Sequence, residues 1–227
     1  MIKRTLCFSN PAYLSLTNSQ LVIKMPEVEK ADLPESFKES TIRTIPIEDI
    51  GVIVLDNKQI TITQGVLEAM LENNCAIITC DKSHLPVGLM LPLCGNTTQS
   101  ERFRNQIDAS LPLKKQLWQQ TVQCKIHNQA AVLKQKRGVV VKNMLAWENE
   151  VRSGDADNIE GRAAAYYWKN MFPDIEKFTR DREGVSPNNL LNYGYAILRA
   201  VVARNLVASG MLPTLGIRSE EHTSELQ

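Results

Sequence analysis

Gly154-Asp-Ala-Asp-Asn-Ile-Glu160-Gly-Arg-Ala-Ala-Ala-Tyr-Tyr-Trp168 sets an acid at the head of a helix that should be half buried. Asp157 or Asn158 is placed to cap the helix N-terminus. Ala163, Ala164 and Ala165 are strong helix formers, and Pro173 stops the run after Phe172. Helical steps from Glu160 reach Ala164, Tyr167 and Trp168, so the carboxylate shares a face with the apolar stripe. Two readings account for such an acid. Asp157-x-x-Glu160 is close to a capping box, in which the glutamate reaches back to the cap's backbone N–H. Alternatively the carboxylate binds a metal, which requires further ligands from elsewhere in the chain.

Ahead of this helix the hydrophobic period changes once. Lys3–Phe8, Tyr13–Leu16 and Gln20–Lys24 read as short strands, with turns at Asn10-Pro11 and Thr17-Asn18-Ser19. The polar segment from Met25 to Thr41 reads as a surface loop or hairpin tip. Arg43–Ile47, Ile50–Leu55 and Ile60–Thr63 resume the strand pattern; Thr63 then caps a helix through Glu72, and Ala76–Thr79 and Val87–Leu91 are further strands. After the turn-rich Gly95–Ser100 the period becomes helical, from Glu101 to Ala109. From Lys114 to Arg137, Leu117, Trp118, Val122, Ile126, Ala130 and Leu133 recur at three-to-four spacing. Val139–Val151 offers another helix, and Ser186-Pro187 starts a last one that closes near Gly210. The expected fold is α+β: a β-rich domain over 1–95, a linker over 96–100 and a helical domain over 101–217.

A chain of 227 residues can bury a sizeable core. Its five cysteines are odd in number and several lie in apolar runs, so reduced thiols fit better than disulfides. Cys75 and Cys80 make no CxxC pair and have only His84 nearby, which argues against zinc and for buried small hydrophobes. No apolar run has the length of a signal peptide or a membrane span, and the expected location is the cytoplasm. The net charge of +1 hides an asymmetry. Residues 1–99 hold 8 Lys and Arg against 11 Asp and Glu, whereas residues 101–149 hold 9 against 3. That concentration suits either a solvated helix face or a phosphate-contacting one, for which Arg102, Arg104, Lys125, Lys136 and Arg137 are the candidates.

Several collinear motifs join Glu160. They are Ser9-Asn-Pro-Ala-Tyr-Leu-Ser-Leu16, Ile45-Pro-Ile-Glu-Asp-Ile50 with Val54-Leu55, and Cys80-Asp-Lys-Ser-His-Leu-Pro-Val-Gly88. Lys125-Ile-His-Asn-Gln129, Leu191-Asn-Tyr-Gly-Tyr-Ala-Ile-Leu198 and Leu215-Gly-Ile217 complete the set. In these the chain resembles the universal CRISPR-associated spacer integrase family, most like its type II form. The resemblance implies a β-domain used for homodimerisation and a helical catalytic domain. It also implies a heterohexamer with a small second adaptation protein, and type II systems add an RNA-guided nuclease. The implied activity is metal-dependent insertion of short DNA spacers into the CRISPR repeat array, a DNA 3′-hydroxyl attacking a phosphodiester in line. Mg²⁺ or Mn²⁺ would be the cation. The family's ligands are a glutamate, a histidine and a second carboxylate. Only the glutamate maps here, onto Glu160; the histidine falls at Ser219 and the second carboxylate beyond Gln227.

The ending Arg218-Ser-Glu-Glu-His-Thr-Ser-Glu-Leu-Gln227 has no helical or strand period and resembles the in-frame translation of a sequencing-library adapter. It is read as foreign to the fold, which makes His222 a coding accident and leaves the chain inactive as written. The other readings of the same residues are a non-catalytic dimeric DNA-binding protein and a non-specific metal-dependent nuclease. His84 is assigned a structural hydrogen bond, His127 a surface or packing role, and Tyr193 and Tyr195 core positions.

Overall fold

The computed structural model describes residues 3–175, 178–181 and 184–218. Among these residues it is an α+β chain in two compact units, one of residues 3–104 with 190–213 and one of the described residues between 105 and 189 with 214–218.

The first unit is built on two four-stranded sheets. In one, β1 (Arg4–Phe8), β5 (Ile50–Leu55) and β7 (Ala76–Cys80) run parallel, and β8 (Pro86–Met90) adds antiparallel to β7. The other has the order β4 (Arg43–Pro46), β3 (Gln20–Lys24), β2 (Tyr13–Thr17), β6 (Thr61–Ile62). Asn18 and Ser19 take positive φ, 50° and 59°, which gives the β2–β3 hairpin a turn whose twist matches its strands. Strand β5 is central and apolar on both faces, as a parallel strand covered from both sides should be. Its Ile50 and Ile53 join Leu14, Leu21, Ile77 and the buried Val66 and Met70 of α3 (Gln64–Glu72) in one core.

The opposite face of that sheet, Val52, Val54, Ala76 and Ile78, is closed by Ala200, Ile197, Val201 and Tyr193 of α8 (Asn188–Ala208). This moves the expected domain boundary: α8 was assigned by sequence order to the helical domain, yet its apolar side packs on the strands. The helix ends as expected near Gly210 (φ 70°), where Gly210 N donates to Val207 O and Met211 N to Leu206 O. Asn96 Nδ2 donates to Ala208 O, and Arg102 Nη1 to Ser209 O, so side chains satisfy carbonyls left over at the helix end.

The loop expected from Met25 to Thr41 contains two short helices, α1 (Pro26–Lys30) and α2 (Glu35–Thr41). Pro26 stands in the first turn of α1, where it loses no hydrogen bond, with Glu27 and Glu29 at the positive helix end. Glu35 pairs with Lys38 one turn on in α2. Polarity alone concealed them.

In the second unit α4 (Gln99–Ile107), which begins in the first, leads to the 27-residue α5 (Leu111–Arg137), α6 (Lys142–Glu150) and α7 (Ile159–Met171). Ser110 caps α5 by accepting Leu113 N, so the helix starts before Lys114. Its Val122, Ile126, Ala130 and Leu133 pack with Met144 of α6 and Ile159 and Ala163 of α7. Leu117, expected in that stripe, is exposed, while Trp118 packs at its margin.

Candidate functional site around Glu160

The chain turns into α7 through a set of side chains that consume the local backbone donors. Asp155 accepts the N–H groups of Ile159 (2.8 Å) and Glu160 (3.1 Å), and Asn158 Oδ1 accepts Gly161 N (3.3 Å). A Cβ at position 161 would come within 2.7 Å of Asn158 Nδ2, which accounts for the glycine. Asp157, the other expected cap, instead forms two-pronged contacts with Arg152 at 2.6–2.8 Å. Arg152 is consequently held more firmly protonated, chiefly by its hydrogen bond to Asp157 and then by that carboxylate's charge.

With the cap supplied by Asp155 and Asn158, Glu160 does not complete the capping box that its spacing allowed. Ile159 and Ala163 bury themselves against α5, and Glu160 follows to the edge of that contact. There Lys125 Nζ donates to Glu160 Oε1, and Arg218 Nη1 lies 4.0 Å from Oε2. The Arg218 guanidinium also stands 5.2 Å from the centre of the Trp118 ring. The Glu160 side chain is 20% exposed and that of Lys125 39%. The acid thus lies between α5 and α7, facing cations and sitting in the first turn of α7, where the helix dipole favours negative charge.

These donors do not by themselves fit a divalent ion. Among the described residues no three His, Cys, Asp or Glu side chains gather in a metal-holding group. Of the two acids just before it in sequence, Asp157 is paired with Arg152 and Asp155 is turned onto backbone N–H groups. Of the ending read as adapter-derived, Arg218 is described and reaches Glu160, and positions 219–227 lie outside the described residues.

The five candidate DNA contacts separate into different situations. Lys125 is on Glu160. Arg102 is drawn to Thr98 Oγ1 and Ser209 O, and Arg137 Nε donates to Met171 O at 2.8 Å, so these two brace helix ends. Arg104 and Lys136 are exposed. Lys136 is eleven residues after Lys125 on α5, about 20° round the helix and roughly 16 Å along it, on the same face.

Elsewhere, His84 Nδ1 meets Asp56 Oδ1 at 2.9 Å, the structural hydrogen bond expected of it. Tyr193 packs in the core with its hydroxyl 3.2 Å from Cys7 Sγ, whereas Tyr195, expected beside it, is 36% exposed. All five cysteines are free; Cys75 is buried as anticipated, but Cys7, Cys94 and Cys124 are exposed. His127 Nδ1 pairs with Glu148 Oε2 at 3.1 Å on the surface. Sequence reading missed Asp155 as the cap, and missed the Lys125–Glu160 pair because 35 residues separate its members. No helix among the described residues is long and apolar enough to cross a membrane.

Two units, one helical with a glutamate held among basic side chains and one built on two sheets, make a fold already seen in solved structures. A casposase bound to integration product superposes with a TM-score of 0.70 at 19% identity, over 99% of this chain and 66% of that one. A CAS1 protein from Thermotoga maritima gives 0.66 at 17% identity, over 96% and 69%. These likenesses establish the fold. The family follows from sequence: residues 6–225 match the model described as CRISPR associated protein Cas1, and the chain belongs to that family. The CRISPR-associated endonuclease Cas1 of Neisseria meningitidis serogroup C is 40% identical over all 227 residues, which span 68% of its length. A second relative of that name from Pyrobaculum aerophilum is 27% identical over 77% of this chain and 63% of its own. The chain thus spans about two thirds of the length of these relatives.

Proposed function

We propose that the protein is a DNA integrase of CRISPR adaptation, inserting short DNA segments into the repeat array by transesterification, with Glu160 as one ligand of a Mg²⁺ or Mn²⁺ ion. The observation that carries this reading is the placement of Glu160. A carboxylate that served only the helix would face its own N-terminal N–H groups, but Asp155 and Asn158 already do so. It is instead held, partly buried, against cations that a divalent ion would replace. Exposed Lys136 and Arg104, with Lys125 when it leaves Glu160, are the proposed phosphate contacts. Family membership supports a homodimer, and the Cas6-RT-Cas1–Cas2 complex with this fold supports a small second protein as partner; the heterohexamer and the type II nuclease belong to the same proposal.

One carboxylate is a poor Mg²⁺ site, because that ion sheds water reluctantly. Glu160 therefore needs further donors to hold that ion, and a protein that binds DNA without joining it is the second reading. Strand transfer separates the possibilities. A short duplex with a 3′-hydroxyl should join to a repeat-containing plasmid, and the same duplex with a 3′-deoxy end should not. Plasmid nicking that ignores the 3′ end would make the protein a nuclease.

A further inference from the structure

The insertion between β3 and β4 is longer than the sheet requires. Antiparallel neighbours can be joined by two to five residues, yet residues 25–42 separate Lys24 from Arg43. Of the two helices in this insertion, α1 buries only Pro26 and α2 buries nothing. Its apolar side chains face outward instead: Met25, Leu33 and Phe37 are exposed, Phe37 by 52%. The insertion carries 5 acids against 2 lysines, an excess of three that equals the whole excess of residues 1–99, 11 against 8. Lys24 and Lys38 pair with Glu29 and Glu35 at 3.4 and 3.3 Å, whereas Glu27, Asp32 and Glu39 meet no cation among the described residues. The result is an apolar knob ringed by uncompensated negative charge.

Such a surface suits a protein and repels the phosphates of a nucleic acid. Its complement stands on the same chain. Around the turn from α4 to α5, Ile107, Leu111, Leu113 and Leu117 are all exposed, Ile107 by 57%. Leu113 and Leu117 lie one turn apart on the side of α5 away from the buried Val122, Ile126 and Leu133. Lys114 and Lys115 stand among them with no side-chain partner among the described residues. Phosphates could pair with these lysines but would leave the four aliphatic side chains in water; an apolar knob ringed by acids covers both. We propose that the α1–α2 insertion of one copy docks on the α4–α5 turn of another, Leu33 and Phe37 packing on the leucines while Asp32 and Glu39 meet Lys114 and Lys115. The contact joins unlike surfaces. It is separate from the homodimer proposed above and needs no DNA.

The test is sedimentation velocity on the full chain without DNA, at up to about 100 μM protein in about 50 mM salt. The average mass should rise with concentration and fall back in about 500 mM salt, where exposed charges are screened. Asp32→Lys with Glu39→Lys, and in a second chain Lys114→Glu with Lys115→Glu, should each weaken the association by about tenfold or more and leave the melting temperature unchanged. Mixing the two reversed chains should restore it, because each offers the surface that the other has lost. Phe37→Ser should weaken the wild-type association to the same degree. Undiminished association of either reversed chain or of Phe37→Ser, or a mixture that gains nothing over its components, overturns the docking. A mass that stays at one value over the whole concentration range overturns it too, and if that value is a dimer in every chain the homodimer stands without this contact.

Discussion

Replacing Lys125 with methionine should destabilise the helical unit more than replacing Glu160 with glutamine. Two unit charges about 4 Å apart near a protein surface attract by roughly 4 kcal/mol at an effective dielectric of about 20. The ammonium is 39% exposed and the carboxylate 20%, so solvent screening and desolvation offset most of that. What remains for Lys125→Met is a loss of about 1–2 kcal/mol, because Glu160 keeps its charge in a partly buried place with Arg218 at 4.0 Å. Glu160→Gln releases a lysine whose long stem can carry its ammonium to water, and should cost under about 0.5 kcal/mol. At about 2–4 °C per kcal/mol for a chain of this size, the lysine variant should melt about 2–8 °C lower. Urea titration of the wild type, both single variants and the double variant gives the coupling directly, expected at about 1 kcal/mol and falling with added salt. A coupling indistinguishable from zero, or a larger loss for Glu160→Gln, would refute the claim that Lys125 is the stand-in cation of this site.

Asp155→Ala should remove the cap from α7 and cost about 1 kcal/mol, visible as faster amide exchange at Ile159 and Glu160; unchanged exchange would deny Asp155 that role. Gly95→Ala would set a Cβ 2.4 Å from Val207 O at the end of α8, and a melting curve should report a loss of about 1–3 kcal/mol. Raising the pH should destabilise the first unit. Burial pushes the Cys75 thiol up to about 11, and burial followed by the nearby Asp56 does the same to Cys80. Burial and then the Cys7 hydrogen bond also raise Tyr193. In each case the folded state keeps the proton longer than the unfolded chain, so stability is full below pH about 9 and falls as pH rises toward 11. For Cys75, two units correspond to about 3 kcal/mol. Urea midpoints at pH 7, 9 and 10.5 should show the drop in the wild type and a smaller one in Cys75→Ala; identical slopes would contradict it.

The parts of the fold legible in the sequence were those with a repeating apolar period. Ile50–Leu55 reads as a strand, and Val122, Ile126, Ala130 and Leu133 fall on one side of α5. Short polar helices left no such trace, which is why α1 and α2 read as a loop. Nor does chain order say which layer a helix joins: Tyr193, Ile197, Ala200 and Val201 form an apolar face, but only folding reveals that Val52 and Val54 receive it. At the site, Glu160 was legible as an acid on an apolar face. Its partner was not, since Lys125 stood among several lysines of one charged helix, and the division between phosphate contact and internal brace for Arg102 and Arg137 depends on carbonyls of distant helix ends.

The central claim is that Glu160 serves an ion-dependent DNA-joining site that needs donors beyond those described. Its most direct test is integration of a short duplex into a supercoiled plasmid bearing the repeat, with Mn²⁺ and the small partner protein. It compares the protein with its Glu160→Ala and Glu160→Gln variants. The account predicts integration by the protein that both variants abolish. Integration by either variant would contradict it.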